Sequence, residues 1–145
     1  MTETNKQIKY TSILFYFLAF VDLFVAITWF HIGINPDSLS GDRLAELDVN
    51  QIKVAAIVCA VFNLITFVFE AYLGHCGMGT IKGTYKGRTH LKIAAFLGAL
   101  SIIGTIASIY GMINNYSNWT DLLSNLIMVI FLFVYRSGCK KELEK

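Results

Sequence analysis

The first long apolar stretch of the chain covers residues 10–34 and reads YTSILFYFLAFVDLFVAITWFHIGI. It contains a single charged side chain, Asp22, among its 25 residues. Because a helix rises about 1.5 Å per residue, this stretch exceeds the roughly 30 Å thickness of the hydrocarbon core of a bilayer. It is also too long and too rich in Phe and Trp for a cleaved signal peptide. The stretch therefore predicts a retained transmembrane helix.

Three further apolar blocks follow, separated by polar segments. They cover residues 52–73, 91–113 and 119–135, and the last is the least continuous. Of the 145 residues, 55% are hydrophobic and only 15% are charged, which is far from the balance of a soluble domain. Because the apolar residues form blocks and do not alternate with polar ones, a soluble core does not explain them. The sequence predicts an all-α integral membrane protein, one domain over residues 1–145, with four transmembrane helices in an antiparallel up-down bundle.

The basic residues are distributed unevenly between the two predicted sides of the membrane. Ten of the twelve Lys and Arg lie in three segments on one side: Lys6, Lys9, Lys82, Lys86, Arg88, Lys92, Arg136, Lys140, Lys141 and Lys145. The other side, with an acidic outer loop over residues 35–51, carries Arg43, Lys53, Asp37, Asp42, Glu46, Asp48 and Asp121. Cytoplasmic loops carry the excess of Lys and Arg in membrane proteins. Both termini and the middle loop over residues 74–90 are therefore predicted to be cytoplasmic, in a multi-pass protein of the cell membrane.

Two of the spans carry a stripe of polar and small residues on one helix face, since positions three, four and seven apart share a face. The stripe of the second span is Ala56, Cys59, Asn63, Thr66 and Glu70, and that of the third is Ala94, Gly98, Ser101, Thr105 and Ser108. In the first span, Ala19 and Ala26 flank Asp22 on its face. Small residues let helices approach closely in lipid. The predicted helix-packing residues are Ala19, Ala26, Gly98 and Ser108.

Asp22 lies midway along the first span, where a carboxylate facing acyl chains costs about 2.5–3.5 kcal/mol. It is therefore expected to face inward, at the level of Asn63. The predicted polar site inside the membrane comprises Asp22, Asn63, Thr66, Glu70, Ser101, Thr105 and Asn125. Glu70 is expected about two turns nearer the cytoplasm, where Lys6, Lys9 or a loop base could meet it. In the alternative interpretation these groups only hold the bundle together, with a protonated Asp22 hydrogen-bonded to Asn63.

The middle loop contains two consecutive Gly-Thr-x-Lys units, at residues 79–82 and 83–86. Their spacing does not match a phosphate-binding loop, and glycines at this density predict a flexible segment. Its bases Lys82, Lys86 and Arg88 are candidates for binding anionic lipid headgroups, and the alternative is a loop that only sets the topology. The possible zinc ligands His75, Cys76, His90 and Cys139 lack paired spacing. No metal and no other cofactor is expected.

Three classes of function are compatible with this sequence. The first is a non-enzymatic subunit or adaptor that packs into a larger membrane complex. The second is a small proton- or cation-coupled transporter or channel-forming oligomer that uses Asp22. The third, a membrane enzyme, needs clustered catalytic groups, and His75 beside Cys76 is too little, so no catalytic residue is expected.

The expected partners follow from the same charge distribution. They are the lipid bilayer and either other membrane subunits or further copies of this chain. The ten-to-two split of Lys and Arg favours parallel assembly, because a dual-topology dimer needs nearly balanced sides. No nucleic-acid partner is expected.

Overall fold

The computed structural model describes residues 2–36, 48–113 and 118–145 of the chain. Within these residues there are four α-helices and no β-strand. The helices are α1 (Glu3–Ile34), α2 (Val49–Ile81), α3 (Thr89–Ile113) and α4 (Trp119–Leu143). The all-helical class predicted from the sequence is confirmed. The predicted acidic loop lies for the most part outside the described residues, as do Asp37, Asp42, Arg43 and Glu46.

Each of these described helices is long and apolar enough to cross a membrane. The shortest spanning segment, Leu122–Leu143, has 22 residues, which corresponds to about 33 Å of helix. A helix satisfies its backbone hydrogen bonds internally, and the hydrocarbon core of a bilayer demands this because it offers no water. Large apolar side chains on the helix surfaces are exposed, Phe24 by 63% and Phe133 by 70%, and such faces suit a lipid solvent.

The helix ends differ from the predicted spans, most of all in α2. Residues 74–81 were predicted to belong to a flexible loop, and they are helical. The density of glycines misled that prediction, because the cost of about 1 kcal/mol for each helical glycine can be offset by tertiary contacts. Gly77 and Gly79 lie where other side chains approach α2 too closely for a Cβ atom. The connection between α2 and α3 therefore shortens to residues 82–88.

The end of α2 forms a regular glycine cap. The amide of Thr84 donates to the carbonyl of Gly79 at 2.9 Å, and the amide of Gly83 donates to that of Thr80 at 3.1 Å. Gly83 itself has a φ of 71°, in the left-handed region that favours glycine. This is the hydrogen-bond pattern of a Schellman motif, which satisfies the last helical carbonyls. The second Gly-Thr-x-Lys unit thus begins with the residue that ends the helix.

The chain divides into two compact units, which are described separately. The terminal unit comprises Met1–Leu14 and Tyr72–Lys145, and the internal unit comprises Phe15–Ala71. In the terminal unit α3 packs directly against α4, and Leu132, Tyr135 and Cys139 are buried. The internal unit buries mainly small residues, among them Ala19, Ala26, Ala56 and Ala60. The expectation of one domain over residues 1–145 stays a prediction.

Candidate functional site

The residues of the predicted polar site are divided between the two units. The internal unit contains Asp22, Asn63, Thr66 and Glu70, and the terminal unit contains Ser101, Thr105 and Asn125.

Two acidic residues of the internal unit, Asp22 and Glu70, lie within electrostatic range of each other. Glu70 on α2 is only 2% exposed, and Asp22 on α1 is half-buried and close enough for its charge to act on Glu70. The Oε2 atom of Glu70 has no hydrogen-bond partner among the described residues. Neither acid takes part in an ion pair that the described part of the chain forms. The expected pairing of Glu70 with Lys6, Lys9 or a loop base joins residues of different units and stays a prediction.

Asn63 and Thr66 bond to their own helix. The Nδ2 of Asn63 donates to the carbonyl of Cys59 at 2.8 Å, and the hydroxyl of Thr66 donates to the carbonyl of Phe62 at 3.0 Å. Both acceptors lie four residues earlier, a common way for a polar side chain to be satisfied inside a helix. The hydrogen bond considered between Asn63 and Asp22 is not formed. In this unit the polar group with an unsatisfied buried atom is the carboxyl of Glu70.

In the terminal unit, Asn125 on α4 bonds to α3, whereas Thr105 bonds within α3. Asn125 donates through Nδ2 to the hydroxyl of Ser108 at 3.3 Å, and Thr105 donates to the carbonyl of Ser101 at 2.8 Å. A Cβ atom on Gly104 would lie 2.7 Å from the Oδ1 of Asn125. Asn125 therefore contributes to helix packing at this point, and no continuous polar path follows from these contacts.

Among the predicted packing residues, Ala19, Ala26 and Ser108 are buried. Gly98 differs, since a Cβ atom there would meet no atom within 4 Å. The close approach on α3 lies at Gly104, which sequence reasoning missed. The signal was present, because Gly104 follows Ser101 by three residues and precedes Ser108 by four, and therefore shares their face.

A second buried cluster, also missed from the sequence, surrounds Tyr135 in the terminal unit. Its hydroxyl donates to the carbonyl of Leu73 on α2 at 2.6 Å. Its ring meets the ring of His90 edge-on with the centroids 6.0 Å apart, and His90 meets Tyr85 in the same way at 5.1 Å. His90 is fully buried, and neither ring nitrogen makes a hydrogen bond of ordinary geometry to a described residue, although the backbone of Gly87 lies close.

Two of the possible zinc ligands, Cys76 and Cys139, belong to the same buried cluster. Cys76 and Cys139 are both fully buried and both lie close to Tyr135. Nevertheless, no group of three or more His, Cys, Asp or Glu within the described ranges is arranged to hold a metal ion. The aromatic edge contacts and the hydrogen bond from Tyr135 to Leu73 link α2, α3 and α4 at this cluster.

The predicted headgroup-binding residues Lys82, Lys86 and Arg88 are all exposed. Lys82 and Lys86 lie in the connection after α2. Arg88 immediately precedes α3 and lines an open cavity of about 280 Å³ together with residues from α3 and α4. Of the three predicted headgroup-binding residues, only Arg88 is among the residues that line this cavity.

Four described helices, each able to span a bilayer, define this chain as a multi-pass membrane protein. Comparison of the chain with the models of known families, with curated proteins and with solved structures found no match.

Proposed function

We propose that the four spans form an antiparallel up-down bundle in the cell membrane, with both termini and the 82–88 connection in the cytoplasm. The ten-to-two distribution of Lys and Arg supports this orientation. The pairing of α3 with α4 is supported by two contacts, His90 with Tyr135 and Gly104 with Asn125. From the first contact to the second, the residue number rises from 90 to 104 on α3 and falls from 135 to 125 on α4, as expected of antiparallel helices.

We propose further that the protein is a small proton- or cation-coupled transporter or channel-forming oligomer built on Asp22 and Glu70. The observation that carries this proposal is the buried carboxyl of Glu70, whose Oε2 atom has no hydrogen-bond partner among the described residues and on which the charge of Asp22 acts. The sequence alone favours the subunit or adaptor, because that function demands the least of it, and places the transport function second. The buried carboxyl of Glu70 is the reason for placing the transport function first here.

The chemistry of such a pair is limited. Acidic side chains inside a span are costly and mark ion pathways and proton relays. Two carboxyl groups close together in a medium of low dielectric constant cannot both stay ionised without compensation, so the pair binds a proton or a cation. A group that binds and releases such a charge couples the charge to the conformation of the helices around it. This is the elementary step of ion-coupled transport.

The test is a flux measurement with the purified protein in liposomes. Proton entry is followed with a pH-sensitive dye under an imposed potassium diffusion potential, and Na⁺ and K⁺ fluxes are measured in separate preparations. We expect flux above that of empty liposomes, and at least a tenfold loss in Asp22→Asn and in Glu70→Gln. Asp48→Asn is the matched control, because it makes the same chemical change at an exposed acid just before α2.

Two results contradict the transport proposal. One is wild-type protein that carries none of the three ions. The other is Asp22→Asn or Glu70→Gln that folds, as judged by its circular dichroism and elution volume, and keeps full flux. Carboxyl infrared difference spectra of the same proteins give an independent readout, since the bands lost in Asp22→Asn should respond to pH or to the transported cation.

The second candidate is a non-enzymatic subunit or adaptor of a larger membrane complex. One observation favours it: the small stripe of α3 leaves space at Gly98, where an added Cβ atom would meet no described atom within 4 Å. A partner helix could approach closely at this point. This candidate predicts that Asp22→Asn is tolerated and that enlarging Gly98 disrupts assembly, the opposite of the profile expected of a transporter. Neither candidate is an enzyme.

A further inference from the structure

A groove of the terminal unit gathers basic residues from two helices that are distant in sequence. The cavity of about 280 Å³ is lined by Arg88 and Lys92, at the start of α3, and by Arg136 and Lys140, near the end of α4. Leu91 and Leu143 contribute apolar surface between them. These six residues are called the basic groove. Its bases come from segments more than forty residues apart, and this convergence was not visible in the sequence.

The positive charge of the basic groove is mostly uncompensated. Arg88, Lys92 and Arg136 form no ion pair with any described residue, and Lys140 lies 3.8 Å from the carboxylate of Glu144. The first turn of α3 has no acidic residue. The positive end of the α3 dipole therefore adds to the charge of Arg88 and Lys92. Like charges held together without a counter-charge favour the binding of an anion.

The apolar residues beside these bases indicate which kind of anion the groove would bind. Arg88, Lys92, Arg136 and Lys140 are exposed, whereas Leu91 and Leu143 are partly buried and border the long apolar surface of the spans. A site with bases at one end and apolar side chains beside them suits an amphipathic ligand. A phospholipid has this shape, with a phosphate above and acyl chains along the helices. A small soluble anion would use only the bases.

We propose that the basic groove binds the phosphate headgroup of an anionic phospholipid. The occupant is a lipid of the cytoplasmic leaflet, a point that rests on the proposed orientation of the termini, whereas binding itself does not depend on that orientation. With four bases the groove favours a headgroup with two negative charges over one with a single charge, and it discriminates against zwitterionic lipids. The loop lysines Lys82 and Lys86 lie outside the groove and are not part of the site.

Native mass spectrometry of the full chain in detergent tests the proposal. The delipidated protein is titrated separately with phosphatidylcholine, phosphatidylglycerol and phosphatidic acid. We expect affinity to rise in that order. The double variant Lys92→Gln/Arg136→Gln should bind phosphatidic acid about 30-fold more weakly, roughly fivefold for each base. The matched control Lys82→Gln/Lys86→Gln removes the same charge from the connection and should bind as the wild type does.

Three outcomes overturn this inference. The first is an equal loss of affinity in the groove variant and the loop variant, which would mean diffuse attraction to a charged surface. The second is equal binding of phosphatidylcholine by the wild type. The third is displacement of phosphatidic acid by inorganic phosphate at equal concentration, which would identify a free phosphate as the ligand.

Two features keep this result separate from the other proposals. If the groove variant does not fold, the double variant Arg88→Gln/Lys140→Gln decides instead, because it removes the other two bases of the groove and is compared with the same loop control. Loss of ion flux in Asp22→Asn bears only on the transport proposal, since Asp22 does not line the groove.

Discussion

At the scale of single residues, Tyr135 shows how one side chain orders the terminal unit. Its buried hydroxyl donates to the carbonyl of Leu73, a bond that contributes about 0.5–1.5 kcal/mol. Its ring lies against Gly77, where the absence of a Cβ atom allows the approach. Gly77 lies inside α2, where the helix itself does not need a glycine. The side chains of Ser12 and Tyr135 are what leave no room for a Cβ atom.

Gly77→Ala is therefore expected to destabilise the protein by about 1–3 kcal/mol, the usual cost of overpacking. The new Cβ would collide with the hydroxyl of Ser12 and would lie 2.6 Å from the ring of Tyr135. Thermal unfolding in detergent, followed by circular dichroism, measures the effect. Gly98→Ala is the control, and it should be neutral or slightly stabilising because alanine favours helix and meets no atom there. Equal stability of the two variants would refute the close contact at Gly77.

At the scale of elements, small and polar residues take part in joining α3 to α4. Gly104 lets Asn125 approach, and Asn125 in turn donates to Ser108. In lipid, helices gain little from burying apolar surface against each other, so close backbone approach and interhelical hydrogen bonds carry the association. The exposed isoleucines of α3, such as Ile103 and Ile106, are left for the acyl chains.

Gly104→Leu should separate α3 from α4, because its Cβ alone would lie 2.7 Å from Asn125 Oδ1. We expect a loss of about 1–3 kcal/mol in unfolding free energy, measured by titration with a denaturing detergent. Gly98→Leu, on the same helix, should leave the stability of the isolated chain unchanged. If Gly98→Leu instead removes copurifying subunits at unchanged stability, the subunit candidate gains over the transporter. A Gly104→Leu variant as stable as the wild type would contradict the packing described.

At the scale of the whole molecule, charge outside the spans is expected to set the orientation in the membrane. The net charge of +2 conceals the asymmetry, since ten bases lie on one predicted side and two on the other. Four of these ten bases, Arg88, Lys92, Arg136 and Lys140, also line the basic groove, which we propose binds an anionic lipid. Orientation depends on how many bases each side carries, whereas lipid binding depends on where they converge.

Reporter fusions in a bacterial host test the orientation. A fluorescent protein fused after Lys145 should be bright, and alkaline phosphatase fused at the same position should be inactive, because the first folds in the cytoplasm and the second outside it. Inserted in the outer loop between residues 41 and 42, the two reporters should reverse, with at least a tenfold change in phosphatase activity. Phosphatase activity after Lys145 would show that the termini lie outside and that the charge rule was misapplied.

The sequence by itself determined that the protein is helical and that four segments are able to cross a bilayer. Spanning depends on the length and apolarity of each segment separately, and residues 10–34, 52–73, 91–113 and 119–135 show both without reference to one another. The face of each helix that carries small and polar residues was also readable, because it follows from the helical period alone.

Only the tertiary structure decided which of these residues meet. Three features depend on how each helix is rotated and placed in depth against a neighbour. They are the close contact at Gly77, the bond from Tyr135 to Leu73, and the effect of the Asp22 charge on Glu70. Those quantities are set by contacts between residues distant in sequence, for which a local pattern carries no signal. For the same reason the bases of the basic groove, which the sequence shows only as two separate charged segments, become one site when α3 packs against α4.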